Sequence, residues 1–141
     1  MSEDSPHLFL DTNVIVRYLT ADPLDVARAV SRIIESDRVL TLTTVVLVEA
    51  AYVLTKLYRR ERDSVVAGLA ALVQRSNVQL LGVAKSLVLE GLYLCRGSNC
   101  TSFHDALLWA EVRNLPGSRL LTLDQRFPSQ GIEIERLGTE P

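Results

Sequence analysis

Short apolar runs at His7–Leu10, Val39–Leu42, Val78–Leu81 and Leu120–Leu123 are separated by longer stretches with apolar residues at helical spacing. Runs of that length between polar residues suit strands, and the longer periodic stretches suit helices. Strands that alternate with helices call for a parallel or mostly parallel sheet covered on both faces. Short connections and the handedness of crossovers leave few other topologies. The expected fold class is therefore α/β: a three-layer α/β/α sandwich with a short, mostly parallel central sheet. A last strand is expected at Ile132–Ile134.

Helix boundaries follow from capping chemistry. Asp22 is expected to cap a helix with Pro23 in its first turn and Val26, Ala29, Val30, Ile33 and Ile34 on its inner face. Thr44 should cap a helix from Val45 to about Tyr58, with Val46, Glu49, Ala50, Val53 and Leu57 on one stripe. Asp63 or Ser64 should open another, to about Arg75, and Lys85 to about Arg96 is a further one. Gly97-Ser98-Asn99 breaks the chain, Thr101 or Ser102 caps a helix to about Asn114, and Pro116-Gly117 turns it.

The 141 residues suit one domain, residues 1–141, with a core from about His7 to Leu137. Mean hydropathy of +0.17 argues against disorder. No charge-free apolar run approaches the ~18–20 residues that a membrane helix needs. The acidic Met1-Ser2-Glu3-Asp4 start is unlike a signal peptide, so a cytoplasmic location is expected. Cys95 and Cys100 match no metal or redox spacing and read as reduced thiols. With 15 basic and 17 acidic residues, no nucleic-acid-coating stripe is evident, which leaves room for an enzyme that meets phosphates through metal.

The informative residues are carboxylates in unexpected places. Asp11 and Asp124 each follow an apolar run, at the carboxyl end of a strand, where open parallel sheets form ligand sites. Glu49 is expected on the inner face of its helix, and Asp105 heads a stripe with Leu108, Trp109 and Val112. Converging carboxylates are costly to bury unless something neutralises them, and no lysine or arginine set shares their stripes. A divalent cation is the economical solution, and all-oxygen ligands favour Mg²⁺ or Mn²⁺ over Zn²⁺. Each residue also has a plain structural role open to it. Asp11 can cap Thr12-Asn13-Val14, Asp124 can cap the turn through Gln125-Arg126-Phe127, and Asp105 can complement a helix N-terminus. Glu49 can snorkel or pair, and His7 and His104 can be structural. Arg59-Arg60-Glu61-Arg62 reads as a solvated helix end or a phosphate-contact patch.

Asp11-Thr12-Asn13-Val14, the mid-helix Glu49, Phe103-His104-Asp105-Ala106-Leu107 and Leu121-Thr122-Leu123-Asp124-Gln125-Arg126-Phe127 occur in that order. Together they resemble the PIN-domain nucleases, and in length and layout the VapC-type toxin of a VapBC toxin–antitoxin pair. The resemblance runs from about His7 to Leu137 and implies a PIN-like fold and a metal-dependent endoribonuclease. It implies Asp11, Glu49, Asp105 and Asp124 as the catalytic acids, with Asn13 and Thr122 supporting them. Asp11, Asp105 and Asp124 would hold Mg²⁺, with Mn²⁺ as a substitute, and Glu49 would orient water or act as general base. The resemblance further implies 5′-phosphate and 3′-hydroxyl products, an RNA substrate, a VapB-like antitoxin partner and a homodimer. Gln125 stands where a basic residue is common in the family, which touches at most a local RNA contact.

Two other readings share the fold: a housekeeping PIN nuclease in RNA maturation, and a catalytically dead PIN scaffold acting in binding. The bare chain favours the toxin over the first, and the four acids together disfavour the second. Aspartyl-phosphate chemistry would want a second Asp two residues after Asp11, where this chain has Asn13.

Overall fold

Leu40–Leu42, strand β2, is the strand around which the rest is arranged, and all three of its residues are buried. It pairs in parallel with β1, Leu8–Phe9, and with β3, Val78–Leu80. The structure, a computed structural model, describes residues 7–97 and 101–137. A second parallel pair, β4 (Arg119–Thr122) with β5 (Glu133–Arg136), forms a separate two-stranded sheet. The central sheet is thus parallel throughout but divided, three strands and two. The last strand begins one residue later than expected, at Glu133, and runs to Arg136.

Helices connect the strands as parallel pairing requires. They are α1 (Thr12–Thr20), α2 (Leu24–Ile34), α3 (Thr44–Tyr52), α4 (Arg62–Gln74), α5 (Lys85–Leu94) and α6 (Phe103–Asn114). Helix α3 runs directly into a π-helical turn, Val53–Leu57. Helix α1 was not among the expected helices beyond a capped start at Thr12-Asn13-Val14, because that start coincides with the end of the first strand. Ile15 and Val16 are buried and Val14 packs against them.

Several caps differ from expectation by a residue or two. Pro23, rather than Asp22, occupies the cap of α2, which has no side-chain bond. Thr43, not Thr44, caps α3 by accepting from the Val46 N–H at 3.3 Å. Glu61 holds the cap position of α4, while Asp63 accepts from the Gly97 N–H at 3.0 Å and so ties α4 to the end of α5. That helix stops at Leu94, short of Arg96. Ser102 caps α6 as expected, accepting from the Asp105 N–H at 3.0 Å. The break at Gly97 is seen, and Ser98 and Asn99 lie outside the described residues. The inner face of α2 is also rotated: Ala27 and Ile34 are buried, but Val26 and Ile33 remain about two-fifths exposed.

One apolar core gathers β1–β3 with α1, α3, α4 and α5, and includes Phe103, Ala106 and Leu107 of α6. A smaller one places Trp109, Ala110 and Phe127 against Leu120 and Ile134 of the second sheet and against Ile132 just before β5. Helix α6 therefore contributes to both, and Trp109 donates its ring N–H to the Gln130 carbonyl at 2.8 Å. This shared helix carries Asp105 at one end and steadies the strand that leads to Asp124.

Candidate active site

Asp11 ends the segment after β1 with extended backbone (φ −81°, ψ 161°) and forms the N-cap of α1. Its Oδ1 accepts the Thr12 N–H at 2.7 Å, so the capping role is real. The neighbouring Thr12 hydroxyl donates to Glu49 Oε2 at 2.6 Å. Asp11 and Glu49, thirty-eight residues apart in sequence, are thereby joined through the two donors of one largely buried threonine. The packing of α1 on α3 makes this possible. Glu49 itself corrects the expectation of a buried position. The inner face of α3 is formed by Leu47, Ala50 and Ala51, and Glu49 is exposed.

Asp105 lies in the first turn of α6, partly buried, with Oδ1 3.4 Å from His104 Nδ1. Helix α6 packs on α3, and His104 and Glu49 line one cavity of about 240 Å³. Glu111 lines it too and accepts the Thr44 hydroxyl at 2.6 Å. The charge of Asp105 also reaches Cys95. Burial pushes that thiol up to about 11, with the Arg62 charge opposing and the Asp105 charge adding to the rise.

Asp124 follows β4 in an exposed turn. Its Oδ1 accepts the Arg126 N–H at 2.8 Å, and its own N–H donates to the Thr122 hydroxyl at 3.0 Å. Thr122 thus supports the turn that carries Asp124. Asn13 is exposed on α1, and its side chain makes no hydrogen bond among the described residues. Thr12, quoted in the sequence reading only as part of the Asp11 motif and given no role there, is the residue that links two of the acids. Its signal was a hydroxyl directly after a strand-ending aspartate. Arg62 is no solvated helix end either. It donates to the carbonyls of Cys95 and Thr101 and stacks 4.8 Å above the Phe103 ring, holding the segment that precedes α6.

No hydrogen bond among the described residues joins Asp105 or Asp124 to the other two carboxylates. Nor do three or more acidic, histidine or cysteine side chains among those residues converge closely enough to cage an ion. The donor chemistry still suits a hard cation. Each of the four carboxylates has one oxygen held locally and the other without a partner among the described residues. Mg²⁺ is commonly bound through one or two carboxylates, with water and substrate phosphate completing its shell.

The model of the PIN domain matches residues 8–132. The chain belongs to the PIN-domain family. The match runs from β1 to the residue just before the last strand and includes all four acids. PIN domains are generally nucleases, and they typically bind divalent metal ions. No curated protein matches the chain, and no solved structure does. Among the described residues of this PIN domain, no helix is long and apolar enough to cross a membrane.

Proposed function

We propose that this PIN domain is a Mg²⁺-dependent endoribonuclease, with Mn²⁺ as a substitute, and the toxin of a type II toxin–antitoxin pair. The observation that carries the reading is the Asp11–Thr12–Glu49 connection in a chain of a nuclease family. Asp11, Asp105 and Asp124 would hold the metal, each through its unengaged oxygen. A divalent ion bound there would supply an acidified water and offset the extra charge on the phosphate during hydrolysis.

The chain's own residues do the rest. Thr12 fixes the direction of Glu49, whose other oxygen is free to accept a proton from attacking water. Thr122 and the Arg126 N–H hold Asp124 in its turn, and Ser102 holds the backbone of Asp105. With the four acids set aside, 13 acidic residues face 15 basic ones, so the remaining surface is slightly cationic and suited to an RNA strand. The cognate partner in this reading is a VapB-like antitoxin whose segment covers the site, and the active form is a cytoplasmic homodimer.

Cleavage of labelled RNA by the purified chain tests the reading. Internal cuts are expected with Mg²⁺ or Mn²⁺, none in EDTA, and none from Asp11→Asn in any metal. Undiminished cutting in EDTA or by Asp11→Asn would overturn it. Arrest of growth on expression, relieved by Asp11→Asn, tests the toxin role separately.

A further inference from the structure

Arg62, the first residue of α4, makes no ion pair among the described residues, yet its guanidinium is engaged three times. Its Nε donates to the Cys95 carbonyl at 2.8 Å and its Nη2 to the Thr101 carbonyl, while its central carbon lies over the Phe103 ring, 4.8 Å from the centre. Cys95 directly follows α5 and Phe103 opens α6, so one side chain ties the end of one helix to the start of the next. The neighbouring Asp63 adds a tie from the same turn, accepting the Gly97 N–H at 3.0 Å. Helix α5 restrains α6 independently: a Cβ at Gly91 would stand 2.8 Å from the Ala106 carbonyl, so the two backbones touch there. Phe103 and Ala106 are buried, and Asp105 stands between them, partly exposed. Among the described residues the Asp105 carboxylate has only a long contact of its own, 3.4 Å to His104. Its place is therefore set by the backbone of a turn that α4 and α5 hold.

We propose that Arg62 is a positioning residue for Asp105: by clamping the start of α6 it places that carboxylate for a divalent ion. The inference rests on the nuclease reading for the ion, and it names a basic residue outside the acidic set on which the site depends. The clamp works through shape rather than charge. A planar fork can donate to two separate carbonyls and lie flat on a ring at once, whereas an ammonium offers a single nitrogen and no plane. Arg62→Lys therefore keeps the charge and removes the clamp.

Two measurements test this, neither of which needs RNA: hydrogen exchange in EDTA read by mass spectrometry, and Mn²⁺ affinity read from the electron paramagnetic resonance of the free ion. Thermal melts check that each variant is folded. In Arg62→Lys the amides of residues 105–108 should exchange about tenfold faster, with residues 109–114 unchanged, because the loosening is local. Mn²⁺ should bind about tenfold more weakly, the lower end of what outer partners of a metal ligand contribute. Phe103→Leu, which keeps an apolar contact and removes the ring, should fall between Arg62→Lys and the unmodified chain. In the Asp105→Asn background, adding Arg62→Lys should cost no further Mn²⁺ affinity, since the arginine acts through that acid. Unchanged exchange at residues 105–108, faster exchange along the whole of α6, or undiminished Mn²⁺ binding by Arg62→Lys each overturns the proposal. So does an equal further loss of affinity in Asp105→Asn, because Arg62 would then act without Asp105. Local loosening in Arg62→Lys, in a chain that binds no Mn²⁺ even unmodified, would overturn the nuclease reading and leave the clamp on α6.

Discussion

Replacing Thr12 by valine separates a positioning role from a merely structural one. The change keeps the β-branched shape at the first residue of α1 and leaves the N–H bond to Asp11 in place. It removes only the 2.6 Å hydroxyl bond to Glu49. A hydrogen bond to a charged group contributes about 1.5–3 kcal/mol, but Glu49 is exposed and water replaces the lost donor. The added methyl sits at a position that is only 9% exposed and recovers part of the remainder, at ~0.8 kcal/mol per buried carbon. The net loss is therefore about 1 kcal/mol, a fall of roughly 0.5 M in the urea midpoint. Activity should suffer more. Groups that orient a metal site's carboxylates are worth about 10–100-fold in metal affinity or turnover. Urea denaturation and metal-dependent RNA hydrolysis measured side by side should show a small stability loss and a large activity loss, with Thr12→Ser restoring both. Full activity in Thr12→Val would refute the idea that Thr12 directs Glu49.

Further outcomes follow from other contacts. In EDTA, Asp11→Asn should melt within about 1 kcal/mol of the unmodified chain, since an amide still caps α1 and relieves repulsion with Glu49, whereas Asp11→Ala should lose about 1 kcal/mol of cap energy. Gly91→Ala should destabilise by about 1–3 kcal/mol despite better helix propensity, because the new Cβ would stand 2.8 Å from the Ala106 carbonyl. Gly68→Ala, whose Cβ would meet only the flexible Leu19 side chain at 3.4 Å, should instead stabilise by about 0.5–1 kcal/mol; urea curves of the pair decide both. For Cys95 the unfolded thiol ionises near 9.0 and the folded one near about 11, so folding favours the neutral form. Its contribution is intact below pH 9 and lost as pH rises toward 11, by up to about 2.7 kcal/mol. Stability of the unmodified chain should accordingly fall more steeply across that window than that of Cys95→Ala.

The sequence conveyed the layers well because strand–helix alternation is a property of apolar spacing alone. Runs such as Leu40–Leu42, buried on both faces, can be recognised without knowing their neighbours. Helix α1 was harder, since its start doubles as the strand-ending motif. Cap positions shifted because Thr43 and Thr44 are chemically equivalent candidates, and only the backbone turn chooses between them. Glu49 was placed inside because its stripe looked apolar; the packing of α3 is centred instead on Leu47, Ala50 and Ala51. Asp11 and Asp124 were found at strand ends, where topology puts them. Thr12 escaped notice because its importance lies in a partner thirty-seven residues away.

A crystal of the full chain soaked in Mn²⁺ and measured at the manganese absorption edge addresses the central claim directly. The account predicts an anomalous peak within coordination distance of Asp11, with the carboxylates of Asp105 and Asp124 turned toward it, and no such peak in Asp11→Asn. A peak elsewhere on the chain, or none beside Asp11 at saturating Mn²⁺, would contradict it.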